Sequence, residues 1–532
     1  MNSAATKLPE RPLDRPLRIL VATNVYPPRF VGGAELMAHK LALALAQRGH
    51  DVRVFAGDLE GPIVRGKRLD DTLDGLTVHR VGLEPRDFDP AWQNLVNTDV
   101  DSHLAAVLRE FRPDIIHAHN LMGLSIRLPA IAADLGIPTV VTLHDFWGIC
   151  LRNTLMRPDD RLCHDTTACR TCLPANREPR AINFPMRLRK DTIELALASV
   201  ARFVSPSRLL ADRYLAWGLP PERMRVIPNG IDGASFAPAT NSPSGPLRIL
   251  YVGYLGAHKG VAGLITAVAA MQNRSQVHLT LVGIGPEEAA LRNQAARAGL
   301  GEITFAGRIA PQDMPRVYAE ADILVLPSVW AENQPVSIME GMASGLAVVA
   351  SRIGGVPELI EDRVTGRLYE AGNASMLASA LDELVTNTAL RLELGRNARR
   401  HVASQTFERQ AERMEAIFGD VLTGEALLPT PKPITAIVGD CRGRTDDPDF
   451  TDLPSQVLER TLMVPGDWLT EGQIRQCAGL RHYRTEGGRW RALGYLKAFA
   501  LDQIWPILPA KARLRILARG LHNWPNFADR ET

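Results

Sequence analysis

Glu332 and Glu340 are separated by seven residues within PSVWAENQPVSIMEGMASGLAVVAS, residues 327–351. The first falls in a loop after an apolar run. The second lies on the stretch of helical periodicity that follows, among Val336, Ile338, Met339 and Met342. A carboxylate accepts well from two adjacent hydroxyls. Glu332 at the floor of a cleft would therefore meet sugar hydroxyls, and Glu340, a turn or more into the helix, a ribose diol. An ordinary amphipathic helix with exposed acids has the same pattern. Lys259 closes the loop GYLGAHKG (253–260) just before a second helical stretch. It would neutralise a phosphate held over the helix start, or it is a solvated lysine. Gly32 and Gly33 follow Pro27 and Pro28 in a loop that opens another helix. Paired glycines let backbone approach a bulky anion, and the first-turn N–H groups are free to bind it. A plain turn looks alike, and the dinucleotide fingerprint GxGxxG is absent. His117 and His119 with Asn120, and His144 with Asp145, close two further apolar runs. Each is a structural histidine or lines a cleft.

Cys150, Cys163, Cys169 and Cys172 are spaced C-x12-C-x5-C-x2-C. Four thiols with one CxxC suit a structural zinc site, with His164 as a substitute ligand; reduced or redox-active thiols are the alternative. A metal there would be a staple, not a catalyst. Arg177, Arg180, Arg187, Arg189 and Lys190 form a basic run opposed only by Glu178. It reads as a site for anionic lipid or a phosphorylated acceptor, or as a solvated face. Between Arg475 and Arg519 ten Lys and Arg face Glu486 and Asp502, with Trp490, Tyr495, Phe499 and Trp505 interleaved. This fits a membrane-surface or partner-docking tail better than nucleic acid.

The elements that must carry these residues alternate strand and helix. Apolar runs at 17–23, 51–56, 77–81, 114–117, 139–143 and 202–205 read as strands, and 34–48, 101–111, 126–135 and 188–199 as helices. The stretch 233–246 (GASFAPATNSPSGP) is a linker. The pattern then restarts, with strands at 247–252, 277–282, 302–305, 322–326 and 347–350 and helices at 260–271, 287–298, 314–320 and 336–343. Residues 375–421 look all helical. The fold class is α/β, with two doubly wound parallel sheets whose strand-end loops face one cleft. The domain reading is 17–232 with a cysteine-rich insertion at 150–172, linker 233–246, second domain 247–400, closing helices 401–424, and an extension 425–532 without an assignable fold.

Composition is that of a soluble globular protein. The chain of 532 residues is 45% hydrophobic and 23% charged, with a formal net charge of +2. That length suits two cores plus an extension. The opening residues 1–16 lack the apolar core of a secretory leader, and no run reaches the ~18 apolar residues of a membrane span. A cytoplasmic protein is expected, either free or peripheral on the cytoplasmic face of a membrane.

Several motifs in this order, PPRFVGGAE (27–35), IIHAHN (115–120), VIPNGID (226–232), GAHKG (256–260), the Glu332/Glu340 pair and GGVPELI (354–360), resemble glycosyltransferase family 4. The resemblance spans Arg18 to Phe418. It implies the GT-B fold, two Rossmann-like domains facing a central cleft, and retaining transfer from a nucleotide-diphosphate sugar, here to a lipid-linked or polysaccharide glycan. It implies that backbone at Gly33 approaches the donor diphosphate, that His119 lies beside the transferred sugar, and that Lys259 binds phosphate. Glu332 would stand near the donor sugar, with Asn333 and Gln334 supplying polar contacts, and Glu340 at the ribose. The last helices would cross back to the first domain. One departure is Tyr254 after Gly253, where the family often has arginine; one positive contact to the diphosphate is then either missing or supplied elsewhere, with Arg308 and Arg352 as candidates. No Asp-x-Asp motif stands in a suitable loop, so a catalytic metal is not expected, nor is an organic cofactor. The competing readings are a sugar-nucleotide epimerase or phosphorylase of the same fold, and a non-catalytic glycan-binding protein.

Overall fold

A computed structural model of the chain describes residues 15–29, 32–88, 95–150, 152–157, 159, 161–163, 186–238 and 245–424, and three strands between 434 and 484. The first half runs β1 (Arg18–Val25), α1 (Gly33–Gln47), β2 (Asp51–Leu59), β3 (Arg68–Leu73), β4 (Leu76–Leu83), α2 (Thr98–Phe111), β5 (Ile115–Ala118), α3 (Leu128–Asp134), β6 (Thr139–Thr142), α4 (Met186–Ala198), β7 (Arg202–Ser205), α5 (Arg208–Trp217) and β8 (Met224–Val226). These strands form one sheet of order β3-β4-β2-β1-β5-β6-β7-β8. All its pairs are parallel except β3 with β4. β1 is buried along almost its whole length, as a central parallel strand covered on both faces must be.

The second half runs β9 (Leu247–Val252), α6 (Val261–Ala270), β10 (Val277–Val282), α7 (Glu288–Arg297), β11 (Ile303–Gly307), α8 (Met314–Ala319), β12 (Ile323–Leu326), α9 (Val336–Ala343), β13 (Ala347–Ser351), α10 (Val356–Leu359) and β14 (Arg367–Tyr369). Its sheet is wholly parallel, in the order β11-β10-β9-β12-β13-β14. That is the doubly wound 3-2-1-4-5-6 arrangement, with its switch point between β9 and β12. The first sheet has the corresponding point between β1 and β5.

Three helices follow: α11 (Ala374–Thr386), α12 (Thr388–Val402) and α13 (Phe407–Leu422). α11 and α12 pack on the second sheet through Leu377, Leu381, Leu384 and Leu394. α13 returns to the first: Ala411, Met414, Ile417, Phe418 and Val421 share a core with Ile19, Val21, Leu41 and Leu45. Arg48 adds an ion pair to Glu415 at 2.6 Å. β15 (Ile434–Asp440), β16 (Thr461–Met463) and β17 (Cys477–Arg484) form a small parallel sheet with β15 in the middle. The linker residues 239–244 and most of the extension lie outside the described residues. Among the described residues no helix is long and apolar enough to cross a membrane.

Candidate functional site

Each sheet delivers its polar side chains at the carboxyl ends of the strands beside its switch point, and the two sets meet. In the first half, β1 runs into a loop that α1 receives at Gly33. Arg80, 2% exposed, braces that loop, donating to Tyr26 O at 3.2 Å and Pro27 O at 2.6 Å. Tyr26 in turn hydrogen-bonds His39 Nδ1 at 2.7 Å, and His39 Nε2 meets Asp74 at 2.9 Å. Glu35, in the first turn of α1, accepts from Gly32 N at 2.9 Å. Burial pushes its carboxyl above the usual range.

His117 lies in β5 and His119 directly after it, and β6 is followed by His144. His119 Nδ1 and His144 Nε2 are 2.8 Å apart, so one ring donates to the other, and the rings stack with centroids 5.1 Å apart. His117 turns back to Thr142 Oγ1 at 2.8 Å. Burial, followed by the neighbouring imidazoles, holds His119 well below its ordinary value; burial brings His144 down to about 4. The pair is neutral at physiological pH. His119 Nε2 is buried and has no hydrogen-bond partner, so a neutral imidazole is available to a hydroxyl. Asp145, beside His144, accepts from Trp147 N at 2.7 Å and Asn120 Nδ2 at 3.3 Å, and burial lifts its carboxyl to about 7.

In the second half Lys259 lies on the short turn Ala257–Lys259 that leads into α6. The turn needs Gly260. Its φ is +69°, and a Cβ there would lie 2.0 Å from the carbonyl oxygen of Pro327, the first residue of the loop after β12. The close approach places Lys259 Nζ 2.7 Å from Glu332 Oε1 and 4.6 Å over the Trp330 ring. Ser328 Oγ donates to the same Oε1 at 2.6 Å. Burial by itself would raise Glu332, but the Lys259 charge and these hydrogen bonds outweigh it and hold the carboxyl below its ordinary value. Glu340, on α9, accepts from the buried Tyr318 hydroxyl at 2.7 Å, and burial lifts it to about 7.

The halves touch through these same loops. A Cβ on Gly33 would lie 3.0 Å from Val336 Cγ2, so the starts of α1 and α9 face each other. Both present partial positive charge and unpaired N–H groups. Asn333 and Gln334 make their recorded polar contacts with the first half. Asn333 Nδ2 donates to His144 O at 3.0 Å, its Oδ1 accepts from Ser207 Oγ, and Gln334 Oε1 accepts from Asn229 N at 2.7 Å. Gly33, Asn333 and Gln334 therefore meet the opposite half directly; His119 lies behind His144 and Lys259 behind Glu332, while the recorded bond of Glu340 is to Tyr318 within the second half. Arg308 is exposed beyond the edge strand β11, two strands from β9, and Arg352 is paired with Asp362 at 3.3 Å. Tyr254 is exposed, and its ring lies 6.1 Å from that of His258. A cavity of about 700 Å³ at the amino ends of β9 and β10, lined in part by Gln276, Glu302 and Arg391, contains none of these residues.

Of the cysteines, Cys150 and Cys163 are half-buried against the first core, whereas Cys169, Cys172 and His164 lie outside the described residues. Among the described residues no three His, Cys, Asp or Glu side chains are grouped to hold a metal ion. The basic run keeps only Arg187, Arg189 and Lys190 on a described element, α4, and the aromatic-basic tail beyond residue 484 lies outside. Sequence reasoning assigns no role to Trp330, Ser207, Asn229 or Glu35, although Glu35 closes PPRFVGGAE, Asn229 lies within VIPNGID and Trp330 within the run 327–351.

The family described as Glycosyltransferase Family 4 matches residues 31–234, and Glycosyl transferases group 1 matches residues 234–401. The chain is 27% identical over 410 residues to a glycogen synthase of Mycobacterium tuberculosis, covering 73% of this chain and 91% of that one. A sucrose-phosphate synthase from Thermosynechococcus elongatus superposes with a TM-score of 0.61 at 20% identity, over 76% of this chain and all of the other. HepE of Anabaena, solved in complex with UDP, superposes with a TM-score of 0.55 at 20% identity, again over 76% and 100%.

Proposed function

Taking as premise that the chain is a glycosyltransferase of the family 4 type built on the GT-B fold, we propose that it moves a sugar, with retention at the anomeric carbon, from a nucleoside-diphosphate sugar to a hydroxyl of a lipid-linked or polysaccharide glycan. The donor class is supported by the UDP-bound neighbour, and a polymeric glycan acceptor by the glycogen synthase relative. Residues 17–232 take the acceptor, 247–400 the donor, and 401–424 close the two. The basic run 177–190 and the tail 475–519 supply attraction to an anionic membrane surface, and Cys150, Cys163, Cys169 and Cys172 a structural zinc site.

The roles follow from charge. The bond to the diphosphate breaks as its oxygen gains negative charge. Lys259 and the N–H groups at the starts of α1 and α9 stabilise that charge, and fixed donors in a closed site need no reorganisation. Glu332 is held as a carboxylate and accepts hydrogen bonds from the donor sugar's hydroxyls; Glu340 accepts from the ribose. Glu332 is already neutralised by Lys259, which makes it a poor nucleophile for a double displacement. Attack by the acceptor on the face from which the diphosphate leaves gives retention, with the departing phosphate oxygen taking the acceptor proton. Neutral His119 orients the reacting sugar through Nε2.

One observation carries this reading. The Asn333 bond to His144 O, at 3.0 Å, sets the Glu332 loop of one half against the His119–His144 pair of the other. The test is a screen of nucleotide sugars with candidate acceptors, read by mass spectrometry as nucleoside diphosphate released and sugar added. Wild type is expected to turn over one donor with retention. Glu332→Gln, which keeps size and hydrogen bonding, should lose about 10²–10³ in kcat. An inverted product, or full turnover by Glu332→Gln, would refute the assignment.

A further inference from the structure

The Asn333 loop and the short helix α10 of the second half both meet the first at the start of α5. Ser207 precedes that helix and its Oγ accepts from Leu210 N at 3.2 Å. The next two donors are satisfied from the other half. Arg208 N donates to Glu358 Oε2 at 2.7 Å and Leu209 N to Glu358 Oε1 at 2.8 Å. A helix start leaves its first N–H groups without intrahelical partners and carries partial positive charge, so a carboxylate spanning two of them makes charge-assisted bonds. These bonds lie at the surface, and water competes for both partners when the halves part.

Glu358 is coupled tightly to the loop of Glu332. Gly355 N donates to Glu332 O at 2.7 Å. A Cβ on Gly354, whose φ is +59°, would lie 2.1 Å from that same oxygen, and one on Gly355 would lie 2.1 Å from Asn333 O. With backbone this close, segments 354–358 and 332–333 move as one body. Beside them Ser207 and His144 O hold the side chain of Asn333.

We propose that Glu358 is a positioning residue for sugar transfer: docked on the start of α5, it holds the Glu332 loop in register with the His119–His144 pair and keeps the cleft shut while the sugar moves. This rests on the function proposed above. Glu358 touches no reacting atom and acts through Glu332 and Asn333. A shut cleft excludes water from the activated donor. Loss of Glu358 therefore slows transfer and raises the share of donor lost to hydrolysis.

The test uses full-length wild type, Glu358→Ala, Glu358→Gln and, as a control on the exposed face of α12, Glu393→Ala. Small-angle X-ray scattering without substrate reads the opening. Kinetics with the donor found by the screen, beginning with UDP-glucose, read transfer and hydrolysis. Glu358→Ala is expected to enlarge the radius of gyration, lower kcat about fivefold with donor KM changed less than about twofold, and raise the ratio of hydrolysis to transfer. Glu358→Gln, whose amide oxygen still accepts, should fall between it and wild type, and Glu393→Ala should match wild type. A residue that merely stabilised the fold would lower the active fraction without moving that ratio, so a wild-type ratio in Glu358→Ala overturns the proposal. If wild type turns over no nucleotide sugar, the reaction reading fails on its own. The scattering then decides alone, and a Glu358→Ala curve superimposable on wild type overturns the clasp.

Discussion

Burial would protonate Glu332 and Glu340 alike; what separates them is the neighbour. Glu332 has an ammonium at 2.7 Å and stays charged. Glu340 has only the Tyr318 hydroxyl and rises to about 7. Two similar acids eight positions apart therefore hold different protonation states near neutrality. The sign for stability follows. The folded pKa of Glu340 lies above its unfolded value, so folding takes up a proton between the two. Its contribution is fully present below the unfolded value and is lost as pH rises to about 7. Urea unfolding of wild type at pH 5 and pH 7.5 should show this loss, and Glu340→Gln should show less of it. If Glu340 also receives the ribose as a carboxylate, nucleoside diphosphate binding by wild type will weaken below about pH 7 more than that of Glu340→Gln, in calorimetry on both proteins. Equal pH profiles would show that Glu340 does not titrate in this range.

At the scale of elements, the loop after β1 depends on a strand two positions away in the sheet. Arg80 on β4 satisfies two carbonyls of that loop and pairs with Asp71 of β3 at 2.9 Å. Arg80→Met fills similar volume but orphans both carbonyls. A loss of about 1–3 kcal/mol is expected from each that stays buried, read from the urea midpoint at constant slope. The strands that carry the site were legible because their apolar runs are long and end in turn residues. Lys259, Glu332 and Glu340 could be picked out because each follows such a run. β3 was not legible: RLDDTL has four exposed residues in the middle and no alternation, since it lies at the sheet edge with water on both sides. Nor was the commitment of Asn333, Gln334 and Glu358 to the opposite half. Their partners lie 105 to 189 positions away, and local pattern carries no record of which distant backbone an amide or carboxylate will meet. α5 does carry a helix signature, with Ser207 as cap and Gly218 after the last turn, which a fuller reading of periodicity would find.

For the whole molecule, α13 ties the end of the described α/β body to its beginning. Phe418 is fully buried, and its ring meets His117 edge-on with centroids 5.8 Å apart. Phe418→Ala opens a cavity under the histidine row. It should cost about 3–5 kcal/mol, measured by thermal or urea unfolding, and should slow transfer beyond the fraction unfolded, because His119 rests on His117 with ring centroids 4.2 Å apart. A variant with lowered stability but unaltered kcat would show that the ring supports the core and not the site.

The return of α13 also constrains the order in which the protein is made. Ribosomes deliver the amino-terminal half first, yet the core around Ile19, Val21 and Leu41 includes Met414, Ile417 and Phe418. Until those residues emerge, the nascent first half carries a bare apolar face, and at about 5–20 residues per second that interval lasts tens of seconds. Production of this enzyme in a foreign host is therefore expected to give a larger soluble fraction when chaperones are co-expressed, and an unchanged fraction would show that this exposed face is harmless.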